Sequence, residues 1–174
     1  MIEASSDEWF RVMVAILYLV GCRITEALNL RRRNVWLDGN NLVVEIGVLK
    51  RKDNANGPYA NMPHMIHVST KAPFVADLIL PFMSKVSNRE SYLFQSPRDP
   101  LKHRSRQIAW LSLHKAMKDI SPHVFRHDRL MKLAMRGASE AQLMDWAGWT
   151  DARPASNYIR VTGRLAAELS EKVE

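Results

Sequence analysis

SPHVFRHDRLMKLAMRGASEAQLMDWAGWTDARPASNY, residues Ser121–Tyr158, decides how this chain is read. It opens as a helix: Ser121 can cap, and Pro122 suits the first helical position, where its missing N–H costs nothing. His123, Arg126 and His127 follow at i, i+3 and i+4 and so share one helical face. A second helix start lies at Ser139, with Gln142 three residues on as its capping-box partner. Gly148-Trp149 breaks the pattern, and Tyr158 stands nine residues beyond Trp149. Two imidazoles and a guanidinium on one turn of helix, with a phenol downstream, suit an anion better than a metal. His123 and His127 do have the i, i+4 spacing of the zinc motif HExxH. The segment here is HVFRH, with no glutamate after the first histidine and a permanent cation at Arg126, so no metal is expected.

Composition says which anions are plausible. The chain has 174 residues, enough for one domain with a real core, and 47% of them are hydrophobic, which argues against disorder. A formal net charge of +7 favours a polyanionic partner, nucleic acid or an anionic membrane surface. One cysteine, Cys22, excludes an intrachain disulfide and a Cys-rich zinc site and points to a reducing, cytoplasmic setting. The apolar run Phe10 to Cys22 holds Arg11 and falls short of the roughly 20 residues a membrane span needs, so it reads as a buried helix.

Taken from the N-terminus, a helix is expected from about Asp7 to Val20, ended by Gly21. Thr25 can cap a short second helix carrying Glu26, with Arg23 in the tight link before it. Arg31, Arg32 and Arg33 point in different directions and read as solvated charge. Residues 34–69 read as a meander of about three antiparallel strands. They run through Val35-Trp36-Leu37, the turn Asp38–Asn41, the alternating Leu42, Val44, Ile46 and Val48, and the return strand Met65–Val68. The long hairpin after the second strand carries Lys50, Arg51 and Lys52, whose grouped charge is either solvated or reaches a phosphate. Ala72–Val86 is an apolar helix kinked by Pro81. Leu93-Phe94 is a short extended piece. The basic loop SPRDPLKHRSR precedes a helix from about Arg104 to Ile120, with Ile108, Leu111, Met117 and Ile120 inward. The tail from Thr162 is helix-prone. The fold class is therefore α+β, mainly α-helical: a helical bundle with a small three-stranded antiparallel sheet on one side.

The combination of motifs resembles the catalytic domain of the tyrosine recombinase (phage integrase) family. GCRITEALNL is similar to the family's first box, with Arg23 and Glu26 at the R-x-x-E spacing. HVFRH is similar to its H-x-x-R box with the common following histidine. GWT occupies its G-H/W position 23 residues beyond Arg126, and Tyr158 follows at the nucleophile's spacing. The likeness covers roughly residues 7–165. Trp149 stands where histidine is commoner, Ala147 where leucine is usual, and Phe125 replaces a usual leucine. The family keeps a catalytic lysine in the hairpin between the first two boxes. Lys50 is favoured here, and Lys52, on the same strand face, is the alternative. The hairpin and the GWT box resemble those of archaeal members.

The resemblance implies a single catalytic domain over residues 1–174, without the family's N-terminal core-binding domain, acting on double-stranded DNA with no cofactor. Tyr158 would attack a phosphodiester, Arg23 and Arg126 would hold its oxygens, and Lys50 would protonate the leaving 5′-oxygen. His123 would help to take the proton from Tyr158. Trp149 would contact the phosphate or position Tyr158, His127 would support from behind, and Glu26 would orient the site. Arg51, Arg104 and Arg106 are candidate DNA contacts. The breaker-rich loop TDARP implies a partly detached tyrosine segment, and the amphipathic tail implies docking on a neighbouring protomer in a dimeric or tetrameric synapse. A prokaryotic or viral protein acting in the host cytoplasm fits this picture. A non-catalytic DNA-binding module and a type IB topoisomerase remain the competing expectations.

Overall fold

The structure is a computed structural model that describes residues 7–47 and 63–171, with side chains to residue 165. Helix α1, Glu8–Val20, is apolar around nearly its whole circumference, with Trp9, Phe10, Val12–Leu17, Leu19 and Val20 buried. A helix without a polar face belongs inside, and α1 is the axis of the main core. Gly21 ends it in the left-handed conformation, φ 71°, where its N–H closes on Leu17 O at 2.9 Å. Short helix α2, Ile24–Leu28, follows at once. Its cap is Arg23 rather than the expected Thr25, because the Glu26 carboxylate takes the Arg23 N–H.

The meander is present: β1 Val35–Asp38, β2 Asn41–Ile46 and β3 His64–Ser69 form a sheet in the order β1-β2-β3, antiparallel throughout. Register runs from Val35 opposite Val44 to Asp38 opposite Asn41, and from Asn41 opposite Ser69 to Ile46 opposite His64. Ile66 and Val68 of β3 face the core while Met65 and His67 face outward, the period of two that a half-buried strand requires. The chain leaves the sheet after β2 and returns at His64; Lys50, Arg51 and Lys52 lie outside the described residues.

The apolar segment after the sheet is split, as its proline implies. A single wide turn, Val75–Ile79, runs into α3, Leu80–Ser84, with Pro81 in the first α turn, where a missing donor is tolerated. Leu93-Phe94 forms a tight turn between the bridges Arg31–Tyr92 and Gln95–His103 rather than an extended piece. The three arginines do point apart. Arg31 stacks on Tyr92, Arg32 donates to the carbonyls of Met83 and Val35, and Arg33 pairs with Glu90.

Helix α4, Arg106–Ala116, is shorter than expected and turned differently. Ser105 caps it by accepting the Ile108 N–H. Ala109 and Leu113 are its buried residues, whereas Ile108 and Leu111 are 46% and 51% exposed. The helix packs beside α2 with its Ala109–Leu113 side inward, and that orientation leaves Ile108 and Leu111 outside.

Helices α5, Pro122–Met135, α6, Glu140–Ala147, and α7, Arg153–Glu171, complete the chain. The capping box on α6 is made in both directions: Gln142 N–H to Ser139 Oγ at 3.3 Å and Ser139 N–H to Gln142 Oε1 at 2.8 Å. The loop before α7 is brief, and Asp151 accepts the Arg153 N–H at its start. Leu130, Ala134, Leu143, Ala147, Ala155 and Tyr158 form a second, smaller core where α5, α6 and α7 meet. Tyr158 is thus packed on α7, not on a detached segment.

Candidate active site

Arg23 and Glu26 form the first part of the site. The Glu26 carboxylate is buried and does two jobs. One oxygen accepts the Arg23 N–H at 2.6 Å and the other accepts Arg23 Nη1 at 2.6 Å. The Arg23 side chain stays 47% exposed. A buried carboxylate therefore holds a half-exposed guanidinium in one orientation and leaves its remaining donors facing outward.

Arg126 is the opposite case, only 7% exposed. Its Nη1 donates to Gly21 O at 3.1 Å and its Nη2 to Ala147 O at 2.6 Å. Those carbonyls close α1 and α6, and the C-terminal end of a helix carries partial negative charge. The guanidinium therefore ties two helix ends together. Burial pulls its pKa below the usual arginine value and the neighbouring Arg23 charge pulls the same way. It stays a cation regardless. Trp146 adds to the same junction, its Nε1–H donating to Val20 O at 2.8 Å.

Trp149 follows the α6 cap, Gly148, whose φ is 63°. Its ring stacks on that of Tyr158, 6.0 Å between centroids at 24°, and the Arg126 guanidinium lies 5.4 Å from its centroid. The Tyr158 hydroxyl meets His127 Nδ1 at 2.5 Å. Burial raises the phenol pKa above the ordinary tyrosine value, and the Arg126 charge opposes that rise. Tyr158 is thus a neutral phenol at neutral pH, with an imidazole in contact and a cation nearby.

Arg23, Glu26, Arg126, Trp149 and Tyr158 are therefore gathered across 135 residues of sequence. Of the two histidines, His127 touches the phenol; His123, one turn earlier on α5, is exposed and makes no such contact. Arg104 is stacked over the Trp9 ring at 4.2 Å, away from this cluster, and Arg106 is exposed in the first turn of α4.

One further residue lies beside the site, His64, which the sequence alone reads as a structural histidine. His64, at the head of β3, lies against Gly148 and within electrostatic reach of Arg23, Glu26, Arg126 and Asp145. The only sequence signal was its place at the return of the lysine hairpin. Cys22, between Gly21 and Arg23, is fully buried, and burial pushes its thiol up to about 12. Among the described residues no group of three or more His, Cys, Asp or Glu side chains could hold a metal ion, and no helix is long and apolar enough to cross a membrane.

The same arrangement of elements occurs in known proteins. The chain superposes on the XerH site-specific recombinase in a post-cleavage complex with palindromic difH, with a TM-score of 0.75 at 14% identity over 99% of this chain and 50% of that one. A second match is the XerA recombinase, with a TM-score of 0.66 at 19% identity over 90% of this chain and 54% of that one. These establish the tyrosine recombinase catalytic-domain fold. In sequence the chain is 25% identical over 169 residues to tyrosine recombinase XerA of Thermococcus kodakarensis, covering 94% of this chain and 55% of that protein. It is 27% identical over 184 residues to the putative prophage phiRv2 integrase of Mycobacterium tuberculosis, covering 95% and 47%. The chain thus spans about half the length of the relatives it matches. The phage integrase family model matches residues 1–164, so the chain belongs to the phage integrase family.

Proposed function

We propose that this chain cleaves and rejoins DNA at specific sites, without a metal, through a 3′-phosphotyrosyl intermediate on Tyr158. The observation that carries this reading is the Tyr158 hydroxyl resting on His127 Nδ1 with Trp149 and Arg126 beside it. Tyr158 Oη attacks phosphorus, the P–O5′ bond breaks, and the enzyme keeps the 3′-phosphate. The phenol proton passes to an imidazole, with His127 in contact and His123 available on the same helix. The leaving 5′-oxygen takes its proton from Lys50, or from Lys52 in its place. No bond energy is lost to water, so the 5′-hydroxyl of a second strand can reverse the step without ATP.

Negative charge grows on the non-bridging oxygens in the transition state. Arg23 and Arg126 answer it with forked donors of fixed geometry. Losing one such preorganised donor typically costs on the order of 10²–10³ in rate. Two guanidinium charges supply the neutralisation that a divalent ion supplies in other phosphoryl-transfer sites. Trp149 offers one indole N–H and a flat wall for the phenol.

Double-stranded DNA is the substrate, with Arg51, Arg104 and Arg106 as further contacts. Residues 1–174 act as the catalytic unit in a prokaryotic or virally infected cytoplasm. Copies assemble on DNA as dimers or tetramers through α7, whose Ile159, Val161 and Leu165 are 37%, 41% and 40% exposed.

The test is a nicked suicide DNA substrate incubated with the chain in EDTA and resolved on a denaturing gel. A covalent adduct that Tyr158→Phe abolishes is the expected result. No adduct on any substrate would leave a DNA-binding module. A requirement for Mg²⁺ would overturn the metal-free chemistry, and supercoil relaxation without exchange between two sites would identify a topoisomerase.

A further inference from the structure

His64 takes no part in the chemistry above, yet it touches the backbone that carries it. It is the first residue of β3 and pairs with Ile46, so it stands where the lysine hairpin rejoins the sheet. On its other side it presses on Gly148. A Cβ built there would lie 3.0 Å from His64 Cε1 and 3.2 Å from Nδ1, so the ring edge occupies the space a side chain would need. Gly148 is flanked by both parts of the site: Ala147, whose carbonyl anchors Arg126, and Trp149, whose ring backs Tyr158. The contact therefore joins the hairpin end of the sheet to the link between α6 and the nucleophile.

We propose that His64 is a positioning residue: its ring, seated on Gly148, fixes the Ala147–Trp149 link and thereby the placing of Arg126 and Trp149 about Tyr158. The reading of the site as a DNA-cleaving centre underlies the kinetic half of this inference, but not the contact itself. The ring acts by shape. The charged groups around it are Arg23 and Glu26 from α2 and its cap, Arg126 from α5 and Asp145 from α6. They are of mixed sign, and burial is the largest influence on the imidazole, favouring its neutral form. A flat neutral ring is what the contact needs, and phenylalanine supplies one without a titratable nitrogen.

The experiment compares wild type, His64→Ala and His64→Phe in two measurements. The first is single-turnover cleavage of the nicked suicide substrate at saturating DNA, with affinity measured separately. The second is fluorine NMR of chain labelled with fluorotryptophan, the Trp149 resonance assigned with Trp149→Phe. His64→Ala should slow cleavage about 10- to 100-fold, the scale of a small misplacement of reacting groups, with DNA affinity unchanged. It should also shift the Trp149 resonance. His64→Phe should restore both. Loss of cleavage in both variants would make the imidazole nitrogen the active feature and overturn the inference. So would an alanine variant with unchanged cleavage, or one that loses only thermal stability. If wild type forms no adduct, the DNA-cleaving reading fails while the resonance still judges the contact: a shift in His64→Ala alone upholds it, and no shift overturns it.

Discussion

Arg126→Lys separates the two roles the structure gives that side chain. The guanidinium spans Gly21 O at 3.1 Å and Ala147 O at 2.6 Å, and is only 7% exposed. An ammonium keeps the charge but is a single point on a flexible stem, so it can satisfy one of the two carbonyls and not both. A hydrogen bond to a charged group contributes about 1.5–3 kcal/mol, and losing one should destabilise the free chain by that amount. For a domain of this size each kcal/mol moves Tm by about 2–4 °C, so a fall of about 3–12 °C is expected by calorimetry without DNA. The rate is a separate matter. A lysine held by one carbonyl cannot present a fork to the phosphate, and cleavage measured well below the variant's Tm should drop by on the order of 10²–10³. Arg126→Ala, which leaves both carbonyls without their donor, should unfold at a lower temperature still. An unchanged Tm in Arg126→Lys would refute the anchoring role. An unchanged rate would refute the phosphate clamp.

Four further outcomes follow from the same geometry. Arg23→Lys keeps a cation beside buried Glu26 on a side chain already 47% exposed, so Tm should move by no more than about 2 °C while cleavage falls by 10² or more. Ser139→Ala removes the acceptor for the Gln142 N–H and should cost about 1 kcal/mol, read as a Tm lower by about 2–4 °C, with cleavage unchanged. Cys22 holds its proton up to about 12 against an ordinary 9.0, so its contribution is intact below pH 9 and is lost as pH rises towards 12, by about 4 kcal/mol in all; Cys22→Ala should flatten that alkaline slope in urea titrations. Tyr158 is likewise raised by burial, so the difference in phenolate absorbance between wild type and Tyr158→Phe should show a phenol ionising later than free tyrosine, and none ionising near neutrality.

What the sequence revealed was local, and what it hid was long-range. The α6 caps were legible because Ser139, Gln142 and Gly148 act within one turn of the helix they bound. The three-stranded meander was legible from the turn at Asp38–Asn41 and the alternation along β3, but not the burial of Val43, which lies between buried Leu42 and Val44 on β2. The burial of α4 was not, because periodicity marks residue type and not distance. Ile108 and Leu111 read as inward, but the helix docks with the side that carries Ala109 and Leu113. The same limit separates His123 from His127. Both lie on one face of α5, and only the docking of α7 decides that His127 meets the phenol. His64 was hidden for the same reason, since its partner Gly148 is 84 residues away.

The site residues share a mode of attachment that explains how so small a domain can hold them. Arg23 is the N-cap of α2, Arg126 bridges the C-terminal ends of α1 and α6, and Trp149 comes directly after the left-handed cap of α6. Helix ends are where backbone donors and acceptors lack partners, so a charged side chain placed there is held by groups that themselves need satisfying. Arg126 is rigid because two carbonyls require it, and Arg23 because the carboxylate that caps α2 also grips its guanidinium. Under the proposed function, a phosphate would meet donors left over after the fold has been satisfied, with little ordering still to be done. Tyr158 is held otherwise, by packing in the small core of α5, α6 and α7 and by one contact with His127. Displacing it exposes one aromatic ring and breaks one hydrogen bond, whereas displacing Arg126 undoes two helix ends. The two cations are therefore the more firmly tied part of this site, and Tyr158, the proposed nucleophile, is held by packing and a single hydrogen bond.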